Sequence, residues 1–103
     1  MNANDYGIVF VFWTGGFNLS AFTSLELTFT KPNGTVLTVM NPAVSISGSP
    51  LTTPLGVLDP DTYALYTFAA GDINLPGQYG VRLTYQSTGV QLISDPTVFT
   101  VSP

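Results

Sequence analysis

The sequence predicts an all-β domain, built as a two-sheet antiparallel sandwich of about seven or eight short strands. Two observations predict this fold class. Thr, Val, Phe, Tyr and Leu dominate short runs in which apolar and polar residues alternate. Eight prolines and ten glycines separate those runs as turns. A chain of 103 residues is one domain, and it is long enough to remove roughly 65% of its unfolded surface from water.

The predicted strands are, in order, 7–13, 23–30, 35–40, 44–47, 61–68, 77–86, 90–94 and 97–101. The first is nearly continuous in apolar residues, so both of its faces should be covered. The second places Leu25, Leu27 and Phe29 on one face. The turn Lys31-Pro32-Asn33-Gly34 joins the second strand to the third as a hairpin, because proline presets φ and Asn-Gly tolerates positive φ.

Strand 44–47 is short, and residues 48–59 are expected to form a loop because Pro50, Pro54 and Gly56 interrupt them. Strand 61–68 follows. The segment 77–86 has the clearest strand pattern, with four apolar or aromatic side chains on one face, namely Tyr79, Val81, Leu83 and Tyr85. A turn at Ser87-Thr88-Gly89 leads into the last two strands, and Asp95-Pro96 interrupts the ladder between them.

A local motif, Leu75-Pro76-Gly77-Gln78-Tyr79, comes just before the best strand. Its form is that of a tyrosine corner, in which a tyrosine opening a late strand hydrogen-bonds to backbone just upstream. The proline and glycine then shape the crossover between sheets. The alternative is a core tyrosine after an ordinary Pro-Gly turn.

Four phrases of the chain carry a resemblance to a known family. They are FNLSAF at 17–22, LTFTKPNG at 27–34, DINLPGQY at 72–79 and SDPTVFTV at 94–101. Together they resemble the immunoglobulin-like (Ig-like) domain at the N-terminus of phage upper-baseplate proteins, and the small Ig-like domains of tail, head-decoration and fibre proteins. The resemblance implies an Ig-like sandwich without catalytic residues. The lack of a long C-terminal extension favours a small stand-alone virion protein.

Charge is sparse, with two Lys or Arg and six Asp or Glu, for a net charge of −4. On an expected surface of roughly 5,600 Å², each charge has about 700 Å², close to the roughly 800 Å² of one side of a standard interface. Such a surface suits a subunit packed among other subunits. Phosphate neutralisation drives nucleic-acid binding, so no nucleic-acid partner is expected. The apolar run 8–13 is too short for a membrane span, and no membrane partner is expected.

Catalytic and metal-binding side chains are scarce. The chain has no cysteine and no histidine, which removes Ser-His and Cys-His dyads and zinc sites of the usual kind. Asp59 and Asp61 flank Pro60 and could act as a carboxylate pair or hold calcium. The alternative, that they are solvated turn residues, is favoured. We therefore expect no enzymatic activity, no metal and no cofactor.

Aromatic residues cluster in the first quarter of the chain. Phe10, Phe12 and Phe22 are expected in the core, whereas Trp13 and Phe17 flank a glycine pair and suit either the core edge or a partner contact.

The start of the chain also predicts how the chain is divided. Residues 1–6 are predicted to be an N-terminal arm that orders on an adjacent subunit, and residues 7–103 the Ig-like domain. The candidate assembly contacts are Met1, Asn2, Tyr6, Trp13 and Phe17.

These features lead to one expected function. The chain is expected to be a structural protein of a bacteriophage particle, either capsid decoration (cement) or a small tail or baseplate component. Its partners would be major capsid or tail/baseplate subunits and further copies of itself, in a virion assembled from protein made in the host cytoplasm. The alternative is a carbohydrate- or cell-surface-binding Ig-like module.

Overall fold

A computed structural model describes all 103 residues as an all-β fold of ten short strands without a helix. The strands are β1 (Val9–Trp13), β2 (Ser24–Thr30), β3 (Val36–Met40), β4 (Ser45–Ile46), β5 (Leu51–Thr53), β6 (Gly56–Leu58), β7 (Tyr63–Thr67), β8 (Gly77–Ser87), β9 (Val90–Ile93) and β10 (Thr97–Val101). The predicted all-β class is confirmed.

The strands form two main antiparallel sheets. One has the order β1-β7-β4, and the other has the order β10-β8-β2-β3, with β9 also paired to β8. Both sheets contribute to one core, for example through the rings of Phe10 on β1 and Phe29 on β2, whose centroids are 5.3 Å apart. The arrangement is therefore consistent with a β-sandwich.

Strand β8 is the centre of the larger sheet. It pairs with β2 along one edge, and with β9 and then β10 along the other. Asp95 and Pro96 lie between β9 and β10, where the sequence predicts an interruption of the ladder. Strands β9 and β10 therefore lie along the same side of β8 as one edge strand that is interrupted at Pro96.

The core lies between the sheets and follows the predicted alternation. Its fifteen buried side chains are Phe12, Leu19, Leu25, Leu27, Phe29, Val44, Ala64, Tyr66, Phe68, Ile73, Tyr79, Val81, Leu83, Tyr85 and Val101. Phe10 and Phe22 pack against this cluster and are partly buried. The inward faces predicted for the second and sixth strands are confirmed.

The turn between β2 and β3 forms at the predicted residues. The N–H of Gly34 donates to the carbonyl of Lys31 at 2.9 Å, and the Asn33 side-chain oxygen accepts the N–H of Thr35 at 3.0 Å. Gly34 has φ of 87°, a value that favours glycine. This turn fixes the register in which Leu27 opposes Val39.

The predicted loop at 48–59 is wrong, because most of it is a hairpin of β5 and β6. Leu51 opposes Leu58, and Thr53 opposes Gly56. The prolines do not prevent pairing, since Pro50 precedes β5 and Pro54 lies in the connecting turn. Tyr63 at the start of β7 is buried although it is not part of the core cluster, and its hydroxyl donates to the Ser49 carbonyl at 2.6 Å.

The expectation that both faces of the first strand are covered is also wrong. Phe12 is buried and Phe10 is half-buried, but the alternate side chains Val9, Val11 and Trp13 are 54%, 37% and 56% exposed. Alternation along a strand sends these three side chains to the outer face of the sheet. The domain itself covers only the inner face of β1.

Residues 1–6 do not form a free arm, because they bond to their own domain. The Ala3 N–H donates to the Ser102 carbonyl at 2.7 Å, and the Ser102 N–H donates to the Met1 carbonyl at 2.9 Å. Asn2 and Ser102 form a parallel bridge. Ala3 packs against the core, so the segment is attached to its own domain although Met1, Asn2, Asn4 and Tyr6 remain exposed.

Tyr79 joins the start of β8 to the segment before it. Its hydroxyl donates to the Leu75 carbonyl at 2.7 Å and accepts the Leu75 N–H at 3.1 Å, within the residues 73–76 that the motif indicates. Its ring is fully buried and stacks on Phe99 with centroids 5.2 Å apart. Gly77 has φ of 128°, and a Cβ there would lie 2.9 Å from Pro32 Cγ, so this position requires glycine.

We predict that Tyr79→Phe lowers the free energy of unfolding by about 1–2 kcal/mol, because both Leu75 backbone groups lose their partner. Urea denaturation measures the difference. The matched control is Tyr6→Phe, at a ring that is 70% exposed, where we expect a change within about 0.5 kcal/mol. Equal stability of the Tyr79 variant and the wild type would contradict the role of this hydroxyl.

Candidate functional site

An exposed apolar region lies on the outer side of the smaller sheet. We call it the outer apolar face and define it as Val9, Val11 and Trp13 of β1 with Leu55 and Val57 of the β5–β6 hairpin. Leu55 is fully exposed and Val57 is 61% exposed. Contiguous apolar surface of this kind is often functional in a soluble domain.

A groove lies between the two parts of this face. It has a volume of about 480 Å³ and is lined by Val11 and Trp13 on one side and by residues 53–58 on the other. The hairpin creates the groove because it stands beside the outer side chains of β1. No charged side chain lines it, so the groove favours an apolar partner.

The free edge of β1 adjoins this groove. Strand β1 pairs only with β7. At its two ends, the Ile8 carbonyl accepts the Phe68 N–H at 2.9 Å, and the Thr14 N–H donates to the Thr62 carbonyl at 3.0 Å. Antiparallel pairing alternates, so the N–H and C=O groups of Val9, Val11 and Trp13 point away from β7. Their backbone is thus open to a further strand.

The five predicted contact residues do not form one surface. Trp13 belongs to the outer apolar face, while Phe17 lines a separate groove of about 320 Å³ and packs edge-on against Tyr85, with ring centroids 5.1 Å apart. Met1 and Asn2 lie beside Ser102. Tyr6 is exposed.

Sequence reasoning missed Leu55 and Val57. Both lie in the segment that was expected to be a loop. The available signal was the turn sequence Thr53-Pro54-Leu55-Gly56 between two short runs, because proline at the second position and glycine at the fourth favour a type I β-turn.

The Asp59–Asp61 segment is a turn with a backbone role. The Asp61 N–H donates to the Ser47 carbonyl at 2.9 Å, and the Asp61 carbonyl accepts the Leu19 N–H at 2.7 Å. Asp61 has φ of 61°, in the left-handed region that Asp and Asn tolerate. No group of three or more His, Cys, Asp or Glu side chains is placed to hold a metal ion.

Tyr66 and Asp72 form the pair with the most perturbed chemistry. The Tyr66 hydroxyl donates to Asp72 Oδ2 at 2.5 Å, and the same oxygen accepts the Ala69 N–H at 2.8 Å. Burial, followed by the hydrogen bond and negative charge of Asp72, raises the pKa of Tyr66 to about 12. Because the Asp72 carboxylate also closes the turn at 69–72, this pair is best explained as a structural bond between β7 and that turn.

Two further observations bear on function. No helix in the chain is long and apolar enough to cross a membrane. Comparisons with protein-family models, curated proteins and solved structures find no match. The fold and the outer apolar face are therefore the features of the molecule that bear on its function.

We predict that the double variant Asp59→Asn, Asp61→Asn keeps its stability within about 0.5 kcal/mol and keeps any association with a particle. Asn tolerates the positive φ of Asp61, whereas Asp61→Ala should lose about 1–2 kcal/mol. Thermal or urea unfolding checks both values. A double variant that folds normally but no longer associates with the particle would restore a metal or acid–base role for the two carboxylates.

We also predict a loss of stability at alkaline pH that depends on Tyr66. The folded protein holds the Tyr66 proton more tightly than the unfolded chain, whose tyrosines titrate near about pH 10. The corresponding stability is complete below about pH 10 and falls as the pH rises toward about 12. Urea midpoints measured across this range should decline less in Tyr66→Phe than in the wild type or in Tyr6→Phe. Identical slopes in all three proteins would contradict the raised pKa.

Proposed function

We propose that this chain is a non-enzymatic structural protein of a bacteriophage particle, either a capsid decoration protein or a small tail or baseplate component. It acts through protein–protein contacts within the virion. The single observation that carries the proposal is the outer apolar face, with Trp13 at its groove. The resemblance of the sequence to phage Ig-like domains supplies the kind of particle.

The order of the strands supports an Ig-like topology as part of this proposal. An Ig sandwich has the sheets A-B-E-D and C-F-G, with C′ added beside C in the variable type. The order β1-β7-β4 corresponds to B-E-D, and the order of β9 and β10, β8, β2 and β3 corresponds to G-F-C-C′. Tyr79 then stands near the start of strand F, as in a tyrosine corner. The β5–β6 hairpin is an insertion between D and E.

The surface supports assembly because it offers little charge to desolvate. The accessible surface is 5792 Å², shared by two basic and six acidic side chains. Burying an unpaired charge opposes association, whereas burying an aromatic side chain such as Trp13 favours it. Apolar and backbone contacts of this type depend weakly on salt.

The alternative proposal, a carbohydrate-binding module, has one observation in its favour, namely the exposed indole of Trp13 beside a groove. A sugar site also needs several polar side chains to hydrogen-bond the hydroxyl groups. The lining of the groove has Thr53 and the Trp13 indole as its polar side-chain groups, and the remainder is apolar or glycine. The lining therefore suits a protein contact better than a glycan.

We predict that Trp13→Lys reduces copurification with the phage particle at least about tenfold while the free energy of unfolding changes by less than about 1 kcal/mol. The reason is that Trp13 points outward and contributes to contacts more than to the core. Particles purified from infected cells and analysed by mass spectrometry give the association, and urea denaturation gives the stability.

The matched control is Val98→Lys, at a side chain of the larger sheet that is 58% exposed, nearly the same fraction as Trp13. It should leave association intact. A wild-type chain that is absent from particles and binds a soluble glycan as a monomer would contradict the proposal and favour the alternative.

A further inference from the structure

The free edge of β1 suits one partner in particular, a second copy of this chain. We infer that two copies pair their β1 strands antiparallel about a twofold axis at Val11, joining their smaller sheets into one six-stranded sheet. This deepens the proposed function, on which it rests, by naming the contact between neighbouring copies. In the Ig-like assignment, the second copy's β1 lies beside strand B, where strand A pairs in an Ig sandwich.

The backbone of β1 supplies the hydrogen bonds for this pairing. The outward N–H and C=O groups are those of Val9, Val11 and Trp13, as the bonds at Ile8 and Thr14 require. Natural sheet edges are usually guarded by a charged side chain or a proline. Strand β1, with the sequence VFVFW, contains neither.

The register follows from the alternation. Only odd-numbered residues present their backbone groups to the free edge, so odd residues must oppose odd residues. A twofold axis at Val11 uses all three, with Val11 opposite Val11 of the second copy and Val9 opposite Trp13 of the second copy. Any other centre leaves at least one outward residue unpaired.

The β1 edge carries no charge that would oppose a second copy. The chain carries a net charge of −4, so two copies repel each other wherever their acidic residues meet. Residues 6–25 contain no charged side chain, and the nearest charges in sequence are Asp5 and Glu26. The β1 edge is thus a place where identical chains meet without opposing like charges.

The outer side chains of β1 also meet across this pairing. Val9 lies beside Trp13 of the second copy, and Val11 lies beside Val11 of the second copy, on the same face of the joined sheet. In the single chain these three side chains, Val9, Val11 and Trp13, are 54%, 37% and 56% exposed, so the cross-strand contacts bury part of their apolar surface. The rest of the outer apolar face stays open, because its side chains stand perpendicular to the plane in which the strands pair.

A single cysteine tests the register, because the chain has no cysteine of its own. In Val11→Cys, the two introduced residues face each other with Cα atoms about 5.5 Å apart, within disulfide range. Mild oxidation of the purified full chain should give about tenfold more covalent dimer than in Val9→Cys, whose two sulfur-bearing positions lie about 13 Å apart along the strands. Thr38→Cys, at the centre of the uncharged edge strand β3, is the second control.

Sedimentation equilibrium at protein concentrations up to about 1 mM provides an independent measurement. The wild type should dimerise, Val11→Lys should weaken dimerisation at least about tenfold by placing two like charges on the axis, and Val98→Lys should not. A wild type that remains monomeric, a dimer insensitive to Val11→Lys, or equal cross-linking of Val9→Cys and Val11→Cys would each overturn the inference.

The two proposals fail separately. If the pairing fails while the chain still copurifies with particles, the structural role stands and another strand or face makes the contact. If the pairing holds while no particle contains the chain, the twofold dimer stands and the virion role fails.

Discussion

The fold depends on strand β8 and on the way that its first residues are fixed. Its alternate side chains from Tyr79 to Tyr85 are buried, and its two edges hold β2 on one side and the broken strand of β9 and β10 on the other. A one-residue slip would turn all of these aromatic and aliphatic side chains to solvent. The paired hydrogen bonds between Tyr79 and Leu75 fix the start of the strand, and the absence of a side chain at Gly77 lets Pro32 pack closely.

Because the chain has few charged residues, two of its sheet edges lack charged side chains. Most soluble domains guard their sheet edges with lysines or prolines, but β1 and β3 have neither within their bounds. Strand β1 combines an open edge with an adjoining groove that no charged side chain lines, because the β5–β6 hairpin stands beside its outer side chains. The same composition that leaves few groups for catalysis therefore leaves one edge suited to strand addition.

The sequence predicts those elements that bury one face and expose the other. The alternation in β2 and β8 and the Asn-Gly turn determine their own inward residues, since a period of two has one solution once one face is apolar. The outer face of β1 and the β5–β6 hairpin could not be predicted in this way. A strand that is apolar throughout does not reveal which neighbour covers each face, and the two runs of the hairpin, three residues each, are too short for periodicity. The bonds between residues 1–6 and Ser102 join the two ends of the chain, which no local pattern specifies.

The outer apolar face and the open edge of β1 are unfavourable for a domain that works as a monomer. Val9, Val11 and Trp13 lie outside the core, and they expose apolar area and open backbone groups at the same edge. In a free monomer that combination promotes unwanted strand pairing. In an assembly the same groups are satisfied by a neighbour, and the absence of charge from residue 6 to residue 25 removes the main penalty for bringing identical chains together. Pairing between two copies at the β1 edge is specific, because the alternation in β1 allows one register in which Val9, Val11 and Trp13 all have a partner.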